Sequence, residues 1–261
     1  MTTLIIENLA IKSSTKKQAP ILISINTAQL QPGLCVVVGP NGAGKTSLLR
    51  GLAELLPSSG NIQLNNHVIN KQSRLWRAQN IAYLAQHNTL AWPITSQQAI
   101  DLGNLPHTSL FTVSPVTWAE LLDLVHLLPK SMDYLSGGEL ARVHLARAMT
   151  TNAKLTLLDE PLAHLDIRHQ HLALQALKSW CHQQRKIVIL TLHQLDLAYQ
   201  YADVLWLLDQ RHLVWQGNPM PSKNDEIEVM RGHLNTAFSI EWSWILSKNR
   251  FIPLAYAQCT T

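Results

Sequence analysis

Short apolar runs recur along the chain and are separated by amphipathic stretches. Residues 3–11 (TLIIENLAI) and 21–30 (ILISINTAQL) predict two strands, and the run at 34–38 (LCVVV) predicts a short buried strand. The stretch 61–69 (NIQLNNHVI) predicts a strand pair that turns at Asn65-Asn66. Further strands are predicted where similar apolar runs return, at 155–160, 186–192, 204–209 and 212–217.

Helical patterns fill most of the remaining chain. A helix is predicted over 45–56, where Leu48, Leu52 and Leu56 fall at helical spacing, and a longer one over 166–184. Between 87 and 150 the strand patterns fade, and stretches of helical character follow one another at 96–105, 114–128 and 137–151.

Repeated strand–helix units with short apolar strands indicate a parallel sheet covered by helices on both faces, so the predicted fold class is α/β. We expect a core made of residues 1–86 and 151–222, a helical subdomain at 87–150 and a C-terminal extension at 223–261. Within the extension, apolar residues alternate with polar ones and predict a half-buried strand. These apolar residues are Phe238, Ile240, Trp242 and Trp244.

The composition narrows the class of protein only in part. An apolar content of 46% and a charged content of 15% indicate a folded globular chain, and the net charge of +4 selects no class of partner. The three cysteines are scattered without a CxxC or other metal-ligand spacing, so a reducing cytoplasm is the simplest setting. No signal peptide and no run of about 18 apolar residues is visible, so any association with a membrane is expected to be peripheral.

A glycine-rich stretch, GPNGAGKT at 39–46, directly follows the apolar run 34–38. The pattern GxxxxGK[ST] between a strand and a helix is the phosphate loop of nucleotide-binding proteins. Its glycines let backbone N–H groups turn toward an anion, and the helix N-terminus adds partial positive charge. Lys45 would contact the β- and γ-phosphates, and the Thr46 hydroxyl would bind Mg²⁺. The expected nucleotide-binding residues are Gly39, Pro40, Asn41, Gly42, Ala43, Gly44, Lys45, Thr46 and Ser47.

Two adjacent carboxylates, Asp159 and Glu160, end the predicted strand 155–160. A carboxylate at the exit of a buried strand is stable when a cation balances it, and Mg²⁺ is the obvious cation. Asp159 would then help to hold the metal, and Glu160 would orient and deprotonate the attacking water.

The phosphate loop alone indicates nucleotide binding and does not distinguish a kinase, a GTPase or a motor. Other short motifs follow in order: YLAQ ending in Gln86, LSGGE at 135–139, LAHLD ending in Asp166 and ILTLH ending in His193. With this ordered set, over roughly residues 3–217, the chain resembles the nucleotide-binding subunit of ATP-binding cassette (ABC) transporters. The resemblance implies a P-loop NTPase with a RecA-like, mostly parallel sheet, an N-terminal antiparallel β-subdomain and a helical insert.

The same resemblance implies that ATP and Mg²⁺ are the ligands of the site. Glu160, His193 and Gln86 would be the catalytic residues, and Thr46, Gln86 and Asp159 would hold Mg²⁺.

Two cassettes of this family dimerise head to tail, which implies a second copy of the chain as partner. Ser136, Gly137, Gly138 and Glu139 would then face the γ-phosphate held by the phosphate loop of the other copy, and Asp166 would lie at the dimer seam. ATP binding would close the dimer and hydrolysis would let it reopen.

The segments 83–107 and 190–217 are similar to ATPases that serve importers of iron-siderophores, haem and cobalamin. This similarity implies a peripheral subunit at the cytoplasmic face of the bacterial inner membrane. Its partners would be a polytopic permease and, indirectly, a periplasmic or surface substrate-binding protein. The similarity does not identify which chelate is transported. Unlike many family members, the chain has no aromatic residue at 11–20 to stack on adenine.

A soluble ABC ATPase that acts on ribosomes or DNA is the alternative. Such proteins usually carry two cassettes or a long coiled-coil insertion, and neither pattern is visible here. A long basic tract is also missing from the sequence, so nucleic acid is not expected as a partner.

Overall fold

The computed structural model describes residues 2–16, 18–86, 93–107, 115–221, 223–245 and 250–254. Parts of the predicted helical subdomain, and the end of the C-terminal extension with Cys259, lie outside these residues.

A ten-stranded sheet runs through the described residues in the order β5-β4-β1-β2-β10-β9-β3-β8-β7-β6. Its strands are β1 (Leu4–Lys12), β2 (Ile21–Leu30), β3 (Gly33–Val38), β4 (Ser58–Leu64), β5 (His67–Val68), β6 (Ile81–Leu84), β7 (Leu155–Leu158), β8 (Ile187–Thr191), β9 (Val204–Asp209) and β10 (His212–Gly217). The strands β1, β2, β4 and β5 pair antiparallel, whereas β9, β3, β8, β7 and β6 form successive parallel pairs. The predicted fold class, a mostly parallel sheet with antiparallel N-terminal strands, is confirmed.

Helices connect and cover these strands. They are α1 (Lys45–Leu52), α2 (Arg74–Asn80), α3 (Ser96–Asp101), α4 (Pro115–Leu121), α5 (Gly137–Thr150), α6 (Ile167–Gln183), α7 (Leu195–Tyr201) and α8 (Asn224–Phe238). A separate hairpin follows α8 and consists of β11 (Trp242–Ile245) and β12 (Arg250–Pro253). None of the described helices is both long enough and apolar enough to cross a bilayer.

The sheet separates two hydrophobic cores, and β3 shows why. Every residue of this strand is buried. Val36 and Val38 belong to the core that contains α5 and α6, whereas Val37 belongs to the core that contains α1. Successive side chains of a strand point to opposite faces, so a continuous apolar run is what a sheet covered on both sides requires.

The structure corrects the boundaries of three predicted elements. The helix predicted over 45–56 ends at Leu52, because Glu54 adopts a left-handed φ of 58°. The helix predicted over 114–128 ends at Leu121, and Asp123 is left-handed at φ 57°.

The third correction concerns the C-terminal extension. Phe238 and Ile240 were predicted in a strand with Trp242 and Trp244, but Phe238 is the last residue of α8, and Ser239 adopts a left-handed φ of 53°. Only Trp242–Ile245 forms the strand, β11.

Candidate nucleotide site

The phosphate loop, residues 39–44, leads from β3 into α1, which begins at Lys45 as predicted. Gly44 precedes the helix with a left-handed φ of 102°, and a Cβ at this position would lie 2.4 Å from Ile23 Cδ1. Gly42 has a φ of 79° and open space around its Cα, so there it is the backbone conformation that requires glycine. The sequence pattern therefore specifies a turn that other residues would strain.

Lys45 is buried against this loop. Its Nζ donates hydrogen bonds to the carbonyl oxygens of Gly39, at 2.8 Å, and of Pro40, at 3.1 Å. Burial lowers the pKa of Lys45, while the nearby carboxylates of Glu160 and Asp159 act in the opposite direction. The lysine therefore lies between the loop predicted to bind phosphate and the pair of acidic residues.

Asp159 follows β7 directly and is 1% exposed. Its Oδ1 accepts a hydrogen bond from the Thr191 hydroxyl at 3.0 Å, and the Thr46 side chain lies near the same carboxylate. Burial raises the pKa of Asp159, and the Thr46 and Thr191 side chains oppose the rise. Its Oδ2 is buried and has no hydrogen-bond partner in the described part of the chain.

Glu160 is held from three sides. Its backbone N–H donates to Thr191 Oγ1 at 2.7 Å, and its left-handed φ is 49°. Its carboxylate accepts from Gln86 Nε2 at 2.9 Å through Oε2 and from His193 Nε2 at 2.7 Å through Oε1. The three predicted catalytic residues thus form one cluster, because they follow β6, β7 and β8, adjacent parallel strands whose carboxyl ends share one edge.

The LSGGE stretch forms the start of α5. Ser136 is the N-cap residue, and Glu139 closes a capping box: the backbone N–H of Ser136 donates to Glu139 Oε2 at 2.8 Å. This bond and a second one from the Ser136 hydroxyl lower the pKa of Glu139. A Cβ at Gly138 would lie 2.9 Å from the backbone oxygen of His164, whereas one at Gly137 would meet nothing closer than 3.7 Å.

Asp166 caps α6, and its Oδ1 accepts from the backbone N–H of His169 at 2.8 Å. This bond lowers the pKa of the exposed carboxyl group.

Glu160 lies between two clefts of about 310 and 190 Å³, the larger shared with Gln86 and Gly137 and the smaller with His193. The residues of the phosphate loop line neither of these clefts.

A family model described as ABC transporter matches residues 26–163. The hemin import ATP-binding protein HmuV of Vibrio vulnificus (strain YJ016) is 32% identical over 233 residues, 85% of this chain and 87% of the relative. The chain belongs to the ABC transporter family. A hemin import ATP-binding protein HmuV of Pseudomonas fluorescens is 38% identical over 214 residues, 78% of this chain and 82% of the relative. The chain is therefore an ABC ATPase, which binds and hydrolyses ATP.

Solved structures agree with the fold of this ABC ATPase. One, described as an inward-facing conformation of a metal-chelate type ABC transporter, has a TM-score of 0.74 at 22% identity and covers 97% of this chain and 98% of its own. Another is a dimeric post-hydrolysis state of an ATP-binding cassette bound to ADP and phosphate. Its TM-score is 0.71 at 19% identity, covering 84% of this chain and 98% of its own.

The residues of this ABC ATPase fit a magnesium ion. The buried Oδ2 of Asp159 lacks a partner among the described residues, and the Thr46 side chain reaches the same carboxylate. Hydroxyl, carboxylate and amide oxygens are the ligands that Mg²⁺ prefers. Thr46, Asp159 and Gln86 are therefore the residues that would hold the ion. Mg²⁺ bound there would neutralise part of the negative charge of the ATP phosphates.

Sequence reasoning missed two residues of the site. Thr191 bridges Asp159 and the backbone of Glu160, and the only signal for it is its place two residues before His193 in ILTLH. His144 lines the larger cleft from α5 and is 5% exposed. Neither of its ring nitrogens has a hydrogen-bond partner among the described residues. The helical pattern of α5 gave no sign that a histidine at this position is buried.

Proposed function

We propose that this ABC ATPase is the ATP-hydrolysing subunit of a bacterial haem importer. It acts as a head-to-tail dimer, bound to a polytopic permease at the cytoplasmic face of the inner membrane, with haem delivered from outside by a substrate-binding protein. The hemin import proteins at 32% and 38% identity favour haem over iron-siderophores and cobalamin as the cargo. The transport role sets the proposal apart from a soluble ABC ATPase of ribosomes or DNA.

One observation carries the catalytic part of the proposal. The Glu160 carboxylate is held by Gln86 at 2.9 Å and by His193 at 2.7 Å. A general base must be positioned before it can accept a proton from water in the transition state. In this proposal Glu160 is that base, His193 and Gln86 position it, and Lys45 contacts the ATP phosphates.

The dimer part rests on the start of α5. Ser136 and Gly137 are exposed, and the phosphate loop lines neither of the clefts around Glu160. A capped helix N-terminus that is open to solvent can bind an anion offered by another molecule. The proposal is that a second copy offers the γ-phosphate there, with Asp166 at the seam between the copies. The proposal also divides the chain into a core at 1–86 and 151–222, a helical subdomain at 87–150 and a C-terminal extension at 223–261.

Mixing two inactive variants tests the dimer. Lys45→Ala removes the phosphate contact, and Gly137→Asp places a carboxylate where the γ-phosphate would lie. The second change should fold, because a Cβ at Gly137 meets no atom within 3.7 Å and an acidic residue suits the first turn of a helix. In a mixed dimer, one composite site carries both changes and the other carries none. The mixture should therefore recover about a quarter of the wild-type ATPase rate, since roughly half of randomly formed dimers are mixed.

The control is each variant alone at the same total concentration, which should stay inactive. ATPase activity of the wild type should also rise with the square of protein concentration when the protein is dilute. A mixture as inactive as its components, together with a linear concentration dependence, would show that one copy suffices and would refute the dimer.

The cargo is tested by transport. The complex of ATPase and permease, reconstituted into vesicles with the substrate-binding protein, should accumulate haem when ATP is present on the side of the ATPase. Cobalamin and a ferric siderophore serve as competing cargoes in the same assay. Accumulation of either in preference to haem would overturn the choice of cargo and leave the ATPase assignment intact.

A further inference from the structure

A second group of ligand atoms lies at the opposite end of the sheet from the phosphate loop. The side chains of Cys181, His182 and Asp203 place one sulfur, one nitrogen and one oxygen within 4.8 Å of one another. Cys181 and His182 belong to the last turn of α6, and Asp203 directly precedes β9. No pattern in the sequence links them, because 20 residues and β8 separate the pair from the aspartate.

We propose that Cys181, His182 and Asp203 form a binding site for a zinc ion, independent of the ATP site. Zinc accepts thiolate, imidazole and carboxylate together, at about 2.3 Å for sulfur and about 2.0–2.2 Å for nitrogen and oxygen. Magnesium and calcium are excluded as occupants, since they prefer oxygen ligands alone. The fourth tetrahedral position would be taken by water.

Two of the three ligand atoms are already close together, and the Cys181 sulfur lies within 4.8 Å of both. His182 Nε2 lies 2.9 Å from Asp203 Oδ2. Two ligands of a tetrahedral zinc ion are about 3.3–3.7 Å apart, given these bond lengths. The His182 side chain is half exposed and can make the small rotation that opens this gap. Cys181 binds as a thiolate, so a zinc–sulfur bond forms as the S–H bond breaks and the proton passes to solvent.

Asp203 is already oriented for this role by β3. Its Oδ2 accepts a hydrogen bond from the backbone N–H of Leu34 at 2.8 Å, and its own N–H donates to the carbonyl of Leu34 at 2.8 Å. The neighbouring Gly33 permits this approach, because a Cβ there would lie 2.9 Å from Asp203 Oδ2. Outer contacts of this kind fix the direction of a ligand and strengthen metal binding.

The position of the cluster separates it from the magnesium site. β3 and β9 run parallel, and Asp203 lies at their amino ends, whereas the phosphate loop leaves the carboxyl end of β3. Six residues of strand span about 20 Å, so a zinc ion here cannot contact the ATP phosphates. It would instead tie the end of α6 to the start of two central strands.

Lys178 gives the proposal a sharp test. Its Nζ lies 3.5 Å from Asp203 Oδ1, so its positive charge opposes a cation bound to the same carboxylate. Lys178→Gln should therefore tighten zinc binding by about tenfold at low salt, whereas Cys181→Ala and His182→Gln should each weaken it by about 100-fold or more. A change that strengthens metal binding is not expected from damage to the fold.

The experiment uses the metal-free full chain without nucleotide. Zinc affinity is measured by competition with a chromophoric chelator, and cobalt replaces zinc to reveal a thiolate-to-cobalt charge-transfer band. The expected result is one zinc ion per chain and a thiolate band that Cys181→Ala abolishes. Cys35→Ala is the matched control, because Cys35 is also buried but lies outside the cluster, and this variant should keep the band.

Several outcomes would overturn the proposal. One is a chain that binds no zinc, and another is a thiolate band that survives Cys181→Ala. Zinc binding unchanged in His182→Gln would also refute it, and this exposed substitution should fold in any case. In each of these outcomes the three side chains are only a structural contact between α6 and the sheet. The ATPase and transport assays are separate readouts, so failure here leaves the proposed function untouched.

Discussion

Replacing His144 by leucine should remove part of the acid sensitivity of this ABC ATPase. His144 is 5% exposed on α5, and neither ring nitrogen has a partner among the described residues. Burial, reinforced by the positive charge of Arg147, lowers the pKa of His144 to about 4 from an ordinary value near 6.5. The imidazole is therefore neutral in the folded chain at pH values where the unfolded chain already binds a proton.

The sign of the effect follows from this difference in bound protons. Stability rises with pH wherever the unfolded state binds more protons, so the contribution of His144 is complete above about pH 6.5 and is lost as the pH falls toward 4. With these two pKa values, the loss between about pH 7.5 and pH 4.5 is on the order of 2–3 kcal/mol. Near neutral pH, His144→Leu should be nearly neutral or slightly stabilising, since a buried unpaired polar ring is exchanged for an apolar side chain of similar size.

Urea unfolding at about pH 7.5 and pH 4.5 measures both effects, as the change in unfolding free energy of each protein between the two pH values. The unfolding free energy of His144→Leu should fall by roughly 2–3 kcal/mol less than that of the wild type. His126→Leu, at an exposed position in the same part of the chain, controls for the removal of an imidazole as such. Equal losses in wild type and His144→Leu would refute the reasoning, because the buried ring would then have to be protonated without cost.

Three further predictions concern the nucleotide site. Glu160→Gln should lower the ATPase rate by about 100-fold or more while ATP still binds, and light scattering should then show a stable dimer with ATP; a variant that stays monomeric would contradict this. Lys45→Ala should lose most of its ATP affinity in calorimetry, whereas Lys71→Ala, outside the loop, should not. Thr191→Val should destabilise the chain by about 1–3 kcal/mol and slow hydrolysis, because Asp159 and the Glu160 backbone lose a partner; Thr191→Ser should retain both properties.

The parts of this fold that could be predicted are those determined by residues close together in the sequence. The phosphate loop follows from its glycines and lysine, and β3 follows from an uninterrupted apolar run that only a doubly covered strand requires. The start of α5 at Gly137 agrees with the helical stretch predicted from residue 137, and Ser136 and Glu139 cap it. The family resemblance supplied the rest of the candidate site, because the order of its motifs is specific although each motif alone is weak.

The parts that could not be predicted depend on contacts between distant segments. Helix α8 was missed because its buried residues, Ile227, Met230 and Leu234, lie in a polar stretch next to prolines, although their spacing is helical. Thr191 was missed because its hydrogen bonds reach residues more than 30 positions away. The order of the strands in the sheet brings these segments together, and no local sequence pattern predicts that order.

The contacts of Glu160 fit the role of general base that we propose for it. Gln86 and His193 each donate a hydrogen bond to a different oxygen of this carboxylate. Gln86 follows β6 and His193 follows β8, which are the strands on either side of β7. An ionised carboxylate offers about four acceptor sites, so two donors leave capacity for a water molecule. The backbone N–H of Glu160 also donates to Thr191, so hydrogen bonds hold the residue at its backbone and at its carboxylate. The carboxylate still has free acceptor sites. As the proposed general base, Glu160 would accept a proton with little reorganisation, because the folded sheet already holds its carboxylate in place.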